Sequence, residues 1–202
     1  MQLRNFGRTG MQLSVLGFGC GAVGGFMVRG DPADQERTIA RALEAGVNYF
    51  DTAVQYGDGE SEKNLGRLLQ KLKPANAAVG TKVRLPPADF GRIADAITAS
   101  LEGSLARLRL DRADIFHLHN PVTLQGGDTS LSVRQVLDEV VPTFERLRRQ
   151  GKIRFLGLTG VGDTAALHQV IDAGVFDSAP PASTRMPTTP TPAASVWSNN
   201  RP

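Results

Sequence analysis

The sequence has 202 residues, 23 basic and 20 acidic side chains for a net charge of +3, three histidines and one cysteine. That length suits one domain, and 41% hydrophobic with 21% charged residues is the composition of an ordinary globular chain, neither disordered nor fibrous. The small net charge excludes a surface built for nucleic acid or an acidic membrane, and Cys20 alone makes neither an internal disulfide nor a cysteine zinc site. The opening Met1–Phe6 lacks a signal-peptide run and no window is apolar enough to span a bilayer, so a cytoplasmic protein without a metal centre is expected.

In chain order, Gln2–Phe6, the turn Gly7-Arg8-Thr9-Gly10 and the apolar run Leu13–Phe18 predict an N-terminal hairpin leading into a first strand. A helix is expected over Asp34–Ala45, with Ile39, Ala42 and Leu43 at helical spacing and Gly46 as the stop. The unit then recurs: strand Val47–Ala53 and helix Ser61–Leu72; strand Ala77–Val83 and helix Ile93–Leu108; strand Ile115–His119 and helix Val133–Gln150; strand Ile153–Thr159 and helix Thr164–Ala173. Phe176–Ala179 opens as a sixth strand. Strands alternating with helices imply parallel βαβ units with right-handed crossovers, so the class is α/β.

Composition breaks at residue 180. Six of the 12 prolines are Pro180, Pro181, Pro187, Pro190, Pro192 and Pro202, in a stretch without acidic residues, Leu or Ile. Such a segment buries too little apolar surface to offset its ordering entropy. Residues 1–179 are therefore expected to be the fold and 180–202 a disordered tail.

Gly19-Cys20-Gly21-Ala22-Val23-Gly24 matches the dinucleotide pattern G-x-G-x-x-G. That pattern works only where its last glycine opens a helix whose N-terminus holds a pyrophosphate. Here Gly25–Pro32 follows, bracketed by glycines and closed by proline, so no helix is expected before Pro32–Asp34. The segment reads instead as a strand-to-helix loop, and an open dinucleotide-binding sheet is disfavoured.

Polar residues gather at successive strand ends: Asp51 in Tyr49–Ala53, Tyr56 just after it, Lys82 in Val79–Lys82, and His119 in Ile115–Pro121. In a parallel barrel all strand C-termini meet on one rim. Taken singly, each has a plain reading as cap, packing residue, solvated cation or structural imidazole. Together they suit carbonyl chemistry. A nearby ammonium favours the phenolate form of a tyrosine, a carboxylate holds the lysine charged, and an imidazole can hydrogen-bond a carbonyl oxygen while the phenol donates a proton.

These residues, with Arg4-Asn5-Phe6-Gly7-Arg8-Thr9-Gly10, Leu16-Gly17-Phe18-Gly19, Asn48–Ala53, Tyr56-Gly57, Ser61-Glu62, Leu65-Gly66, Thr81-Lys82, Asp114, Leu118-His119 and Lys152–Thr159, make residues 1–179 resemble the aldo/keto reductases. The resemblance implies a TIM-type (β/α)8 barrel, here incomplete, with about five βα units, a sixth-strand stub and the N-terminal β-hairpin. It implies NADPH-dependent reduction of a small-molecule aldehyde or ketone, with Tyr56 as general acid, Lys82 and Asp51 tuning it, and His119 positioning the carbonyl. Spacing leaves His117 and His119 open; the family pattern selects His119. NADP(H) contacts are carried over to Gly19, Cys20, Gly21, Asp51, Thr159 and Gly160.

Two departures stand out. The family's Ser-Asn after the fifth strand is Thr159-Gly160 here, and Pro180-Pro181 replaces its sixth-strand glutamine. The family's later strands, with their nicotinamide-stacking aromatic and 2′-phosphate clamp, have no counterpart. The expectation is an impaired cofactor site, with a reading-frame shift near Ala179/Pro180 as its origin. The alternative is a non-catalytic remnant or a nicotinamide-sensing regulatory barrel. Oligomeric state is not legible.

Overall fold

A computed structural model describes residues 1–21 and 24–180 of the chain. Apart from Pro180, the segment expected to be a disordered tail lies outside the described residues.

The chain opens with strands β1 (Leu3–Asn5) and β2 (Gln12–Ser14), paired antiparallel with Leu3 opposite Ser14. They form a sheet of their own. The run Leu13–Phe18 does not continue as one strand, because Ser14 Oγ donates to the Leu16 carbonyl at 2.8 Å and turns the chain outward before β3 (Phe18–Gly19). A second correction concerns the glycine-rich stretch. Phe26–Arg29 forms a one-turn helix, α1, ahead of α2 (Pro32–Glu44). Burial of Met27 against Ile39, Phe50 and Leu65 selects it, and Gly30 ends it before proline. Local composition gives no hint of that tertiary contact.

The remaining elements follow the predicted alternation. β4 (Tyr49–Asp51) precedes α3 (Glu60–Leu72), β5 (Ala78–Val83) precedes α4 (Ile93–Leu108), and β6 (Ala113–Leu118) follows. Two short paired strands, β7 (Val122–Thr123) and β8 (Leu131–Ser132), lie between β6 and the next helix, where no element was expected. The next helix runs through α5 (Val133–Gln135), a π turn at Val136–Val140 and α6 (Val141–Arg149). Ser132 and Gln135 cap one another at its start, and the widened turn lies just before Pro142, which cannot donate to the ladder. β9 (Ile153–Leu158) and α7 (Thr164–Asp172) complete the series. The expected sixth strand is reduced, among the described residues, to one parallel bridge between Ser178 and Gly157.

The main sheet is parallel, in the order β3-β4-β5-β6-β9. Such a sheet is covered on both faces. Phe50, Val79, Phe116, Leu118, Leu156 and Leu158 face the helices in two apolar clusters. On the other face Ala78, Ile115 and Phe155 meet Met11 and Leu13 of the hairpin, with Phe6 and Tyr49 beside them. The hairpin thus plugs the N-terminal end of the curved sheet. Asn48 fastens it, accepting from Ser14 N at 2.7 Å and donating to Gln12 O at 2.9 Å, and Arg8 reaches across to Asp177 and the Gly174 carbonyl. The fold is an incomplete α/β barrel.

One buried ion pair holds β5 in place. Glu62 of α3 is fully buried, accepting from Thr81 Oγ1 at 2.5 Å and from Arg107 Nε of α4 at 2.6 Å. Removing one member of a buried pair leaves a charge without compensation. Arg107→Ala should therefore lower unfolding free energy by about 3 kcal/mol in denaturant titrations; a loss below about 0.5 kcal/mol, the scale of an ordinary surface change, would contradict this account of the pair.

Candidate active site

Side chains alternate along a strand, so residues two apart share a face. On β4, β5 and β6 the inward set near the C-terminal end is Asp51, Lys82 and His117, with His119 just beyond Leu118. Parallel registers bring them to adjacent positions: Gly19 lies opposite Asp51, Asp51 opposite Gly80, and Lys82 opposite His117.

Lys82 is the centre of this group, with only 5% of its surface exposed. Its Nζ donates to Asp51 Oδ2 at 2.6 Å, to the Thr52 carbonyl at 2.8 Å and to the Tyr56 hydroxyl oxygen at 3.3 Å. An ammonium has three hydrogens and no lone pair, so these acceptors satisfy it completely. The structure brings Asp51, Tyr56 and Lys82 together. Tyr56 comes from the loop after β4, and its ring centroid lies 4.9 Å from Nζ. Because Tyr56 accepts from Lys82, its own hydrogen is directed elsewhere.

His119 is half-buried beside this trio, and its Nδ1 lies 3.0 Å from Thr159 Oγ1. Burial, then the Lys82 ammonium and the Arg84 guanidinium, lower its pKa below the ordinary imidazole value, with Asp51 acting weakly against them. The ring is therefore neutral at pH 7, with Nε2 free of protein partners among the described residues. His117 differs. It is 1% exposed, both ring nitrogens are buried without a partner, and its ring lies against Gly157 on β9, where an added Cβ would stand 2.3 Å from Nδ1. Burial first, then Lys82 and His119, lower its pKa to about 3.

The positions assigned to a cofactor divide into two kinds. Gly19 and Gly21 leave open space where side chains would stand, making a bare ledge at the end of β3 next to Asp51. Cys20 between them is fully buried with its thiol among Met27, Phe50 and Leu65, where burial pushes its pKa up to about 12. Its N–H donates to Asp51 O and its carbonyl accepts from Ser61 Oγ, both at 2.8 Å, so Cys20 ties β3 to β4 and α3. Thr159 and Gly160 are likewise engaged within the chain: the Thr159 hydroxyl with His119, the Gly160 N–H with the Pro180 carbonyl at 2.9 Å.

Two residues and one further role of Thr159 escaped the sequence analysis. The Thr52 carbonyl holds Lys82, Thr159 orients His119, and Asn120 clamps Leu85 by accepting from its N–H and donating to its carbonyl, both at 2.8 Å. Backbone acceptors and cross-strand partners leave no local sequence signal. Among the described residues no cluster of His, Cys, Asp and Glu is arranged to hold a metal ion.

A family model described as "Aldo/keto reductase family" matches residues 15–181. The chain is 34% identical over 163 residues to L-galactose dehydrogenase of Arabidopsis thaliana, covering 80% of this chain and 49% of the relative. It is 30% identical over 189 residues to D-threo-aldose 1-dehydrogenase of a Pseudomonas species, covering 82% of this chain and 55% of that one. Among solved structures, an aldo/keto reductase from Klebsiella pneumoniae in complex with NADP and acetate superposes with a TM-score of 0.61 at 26% identity, covering 82% of this chain and 52% of the other. The chain spans about half the length of the curated relatives it matches.

The two histidines make stability depend on pH in one direction. A folded His117 with pKa about 3 stays neutral where the unfolded imidazole, at 6.5, takes up a proton. Stability should therefore fall as pH drops below about 6.5, with a slope approaching roughly 1.4 kcal/mol per pH unit. Urea midpoints at pH 7 and pH 5 check this: His117→Leu should lose less stability over that interval than the unsubstituted protein, and an equal loss would show His117 to be charged or exposed.

Proposed function

The chain belongs to the aldo/keto reductase family, and from that premise we propose that it serves NADPH-dependent reduction of a small aldehyde or ketone, with Asp51, Tyr56, Lys82 and His119 as its catalytic group. The observation that carries this reading is the buried Lys82 ammonium, whose three hydrogen bonds fix one carboxylate, one backbone carbonyl and one phenol at the same mouth.

When bound, the nicotinamide supplies hydride to the carbonyl carbon. The bare ledge at Gly19 and Gly21 beside Asp51 fits such a group, and those two residues with Asp51 would hold it. Cys20 supports the ledge from behind. The NADP complex of the Klebsiella relative supports the choice of cofactor. The two sugar dehydrogenases among the relatives point to small polyhydroxy aldehydes and their oxidised counterparts as the first substrates to try.

The chain's own residues deliver the proton. As hydride reaches carbon, negative charge builds on the carbonyl oxygen, which needs a donor. Tyr56 provides it. Lys82 occupies one lone pair of the phenolic oxygen and its positive charge stabilises the phenolate left behind. Asp51 and the Thr52 carbonyl keep that ammonium aimed at Tyr56 and compensate its burial. The role requires the imidazole proton on Nε2, where it can hydrogen-bond the substrate oxygen, with Nδ1 of His119 accepting from the Thr159 hydroxyl 3.0 Å away. Neutrality suits this role, since a second cation at the mouth would compete with Lys82. His117, buried one layer deeper, is a packing residue under the site.

General acid catalysis typically contributes about 10²–10⁴-fold. Tyr56→Phe should lower NADPH-dependent reduction by that factor in assays over a panel of aldoses and short aldehydes. Quenching of the fluorescence of NADPH should still report cofactor binding at the affinity of the unsubstituted chain, which we expect to be impaired where the family's later strands have no counterpart. Activity within a few-fold of the unsubstituted protein would refute the role given to Tyr56.

A further inference from the structure

Tyr49 stands two residues before Asp51 on β4, so both side chains face the barrel interior. Its ring occupies a slot between two positions without side chains. A Cβ on Gly17 would stand 3.0 Å from Tyr49 Cδ1, and a Cβ on Gly80 would stand 2.3 Å from the phenolic oxygen. Phe6, from the hairpin plug, stacks against the ring with centroids 6.5 Å apart and planes inclined by 27°. The slot delivers the hydroxyl to Asp51 Oδ1 at 3.5 Å, a long hydrogen bond, while Oδ2 of the same carboxylate takes Lys82 at 2.6 Å. An ionised carboxylate only accepts, so Tyr49 is the donor.

The phenol is well protected in that form. Burial foremost, then the Asp51 charge and its hydrogen bond, push the Tyr49 pKa above the ordinary phenol value, and Asp114 and the Cys20 thiol act in the same direction. Tyr49 therefore keeps its hydrogen wherever the site would work. Nothing in the proton transfer itself uses this hydroxyl, and an apolar ring would pack equally well against Phe6. The added polar atom has one neighbour that explains it, the second oxygen of Asp51.

We propose that Tyr49 is a positioning residue: its hydroxyl anchors Oδ1 of Asp51, fixing the rotation at which Oδ2 meets Lys82 and hence the approach of Lys82 to Tyr56. The role rests on the reductase reading of that trio. The resulting order is Tyr49 to Asp51 to Lys82 to Tyr56, a line of hydrogen bonds running from the plugged end of the sheet to its mouth.

Carbon-13 NMR of the aspartate carboxyl groups reads the anchor without a titration. The Asp51 resonance, identified as the one that Asp51→Asn removes, should move in Tyr49→Phe, with circular dichroism confirming that both proteins are folded. An unmoved Asp51 resonance in folded protein overturns the anchor. Steady-state kinetics reads the positioning role. Tyr49→Phe, which keeps the ring, should lower kcat about tenfold with KM unchanged, the scale seen when a hydrogen bond orienting a functional ligand is removed. Gly80→Ala, which drives the hydroxyl away from Asp51, should reproduce that loss. A Tyr49→Phe protein with undiminished kcat overturns the positioning role. If the unsubstituted protein reduces no carbonyl, the reductase reading fails, and the carboxyl spectrum still decides whether Tyr49 holds Asp51.

Discussion

A lysine ammonium out of contact with water is costly unless every hydrogen finds an acceptor, and that constraint organises this molecule. Lys82 meets it with a carboxylate, a backbone carbonyl and a phenol drawn from β4 and the loop after it. Much of the surrounding structure serves to keep those acceptors in register. Glu62 and Arg107 fix the helix-facing side of β5 through Thr81, one residue before Lys82. Ser61 ties Thr52 and the Cys20 carbonyl to α3, holding the ends of β3 and β4 together. The two faces of one strand thus do different jobs: the outer face carries the buried Glu62–Arg107 pair and the inner face the Lys82–Asp51 pair of the proposed catalytic group.

The hairpin belongs to the same scheme. It closes the end of the sheet opposite the polar mouth, and its Met11 and Leu13 pack against the short inward residue Ala78. Phe6 then braces Tyr49, which lies directly beneath Asp51. An apolar plug below and hydrogen-bonded charge above give the interior a gradient of polarity along the barrel axis. Burial of His117 midway, neutral and wedged against Gly157, marks where the apolar part ends.

Much of this was legible before any coordinates. Strand-helix alternation is strongly periodic, and the helices at Ile93–Leu108 and Thr164–Asp172 begin at the residues expected from it. Asp51, Lys82 and Tyr56 could be placed on one rim because parallel strands share a direction. What was missed depended on contacts between distant segments. The turn of helix at Phe26–Arg29 exists because Met27 has a pocket formed by α2, α3 and β4. Cys20 was carried over as a cofactor contact from the family pattern, yet strand alternation turns its thiol into the helix layer and leaves Gly19 and Gly21 open. Thr159, carried over as a cofactor contact, also bonds His119 across strands, a link with no local sequence signal. Tyr49 was given no role, although its two-residue offset from Asp51 puts both on one face of the strand.

Nitrogen-15 NMR of the lysine side chains reaches the central claim most directly, because it reads the ammonium itself and needs neither cofactor nor turnover. A Lys82 amine held by three acceptors should give an ammonium resonance whose hydrogens exchange slowly with water. Lys82→Arg should delete that resonance and Tyr56→Phe should displace it. If every lysine exchanges as fast as a surface amine and Tyr56→Phe moves none of them, Lys82 does not bridge Asp51 and Tyr56, and the account of this site is wrong.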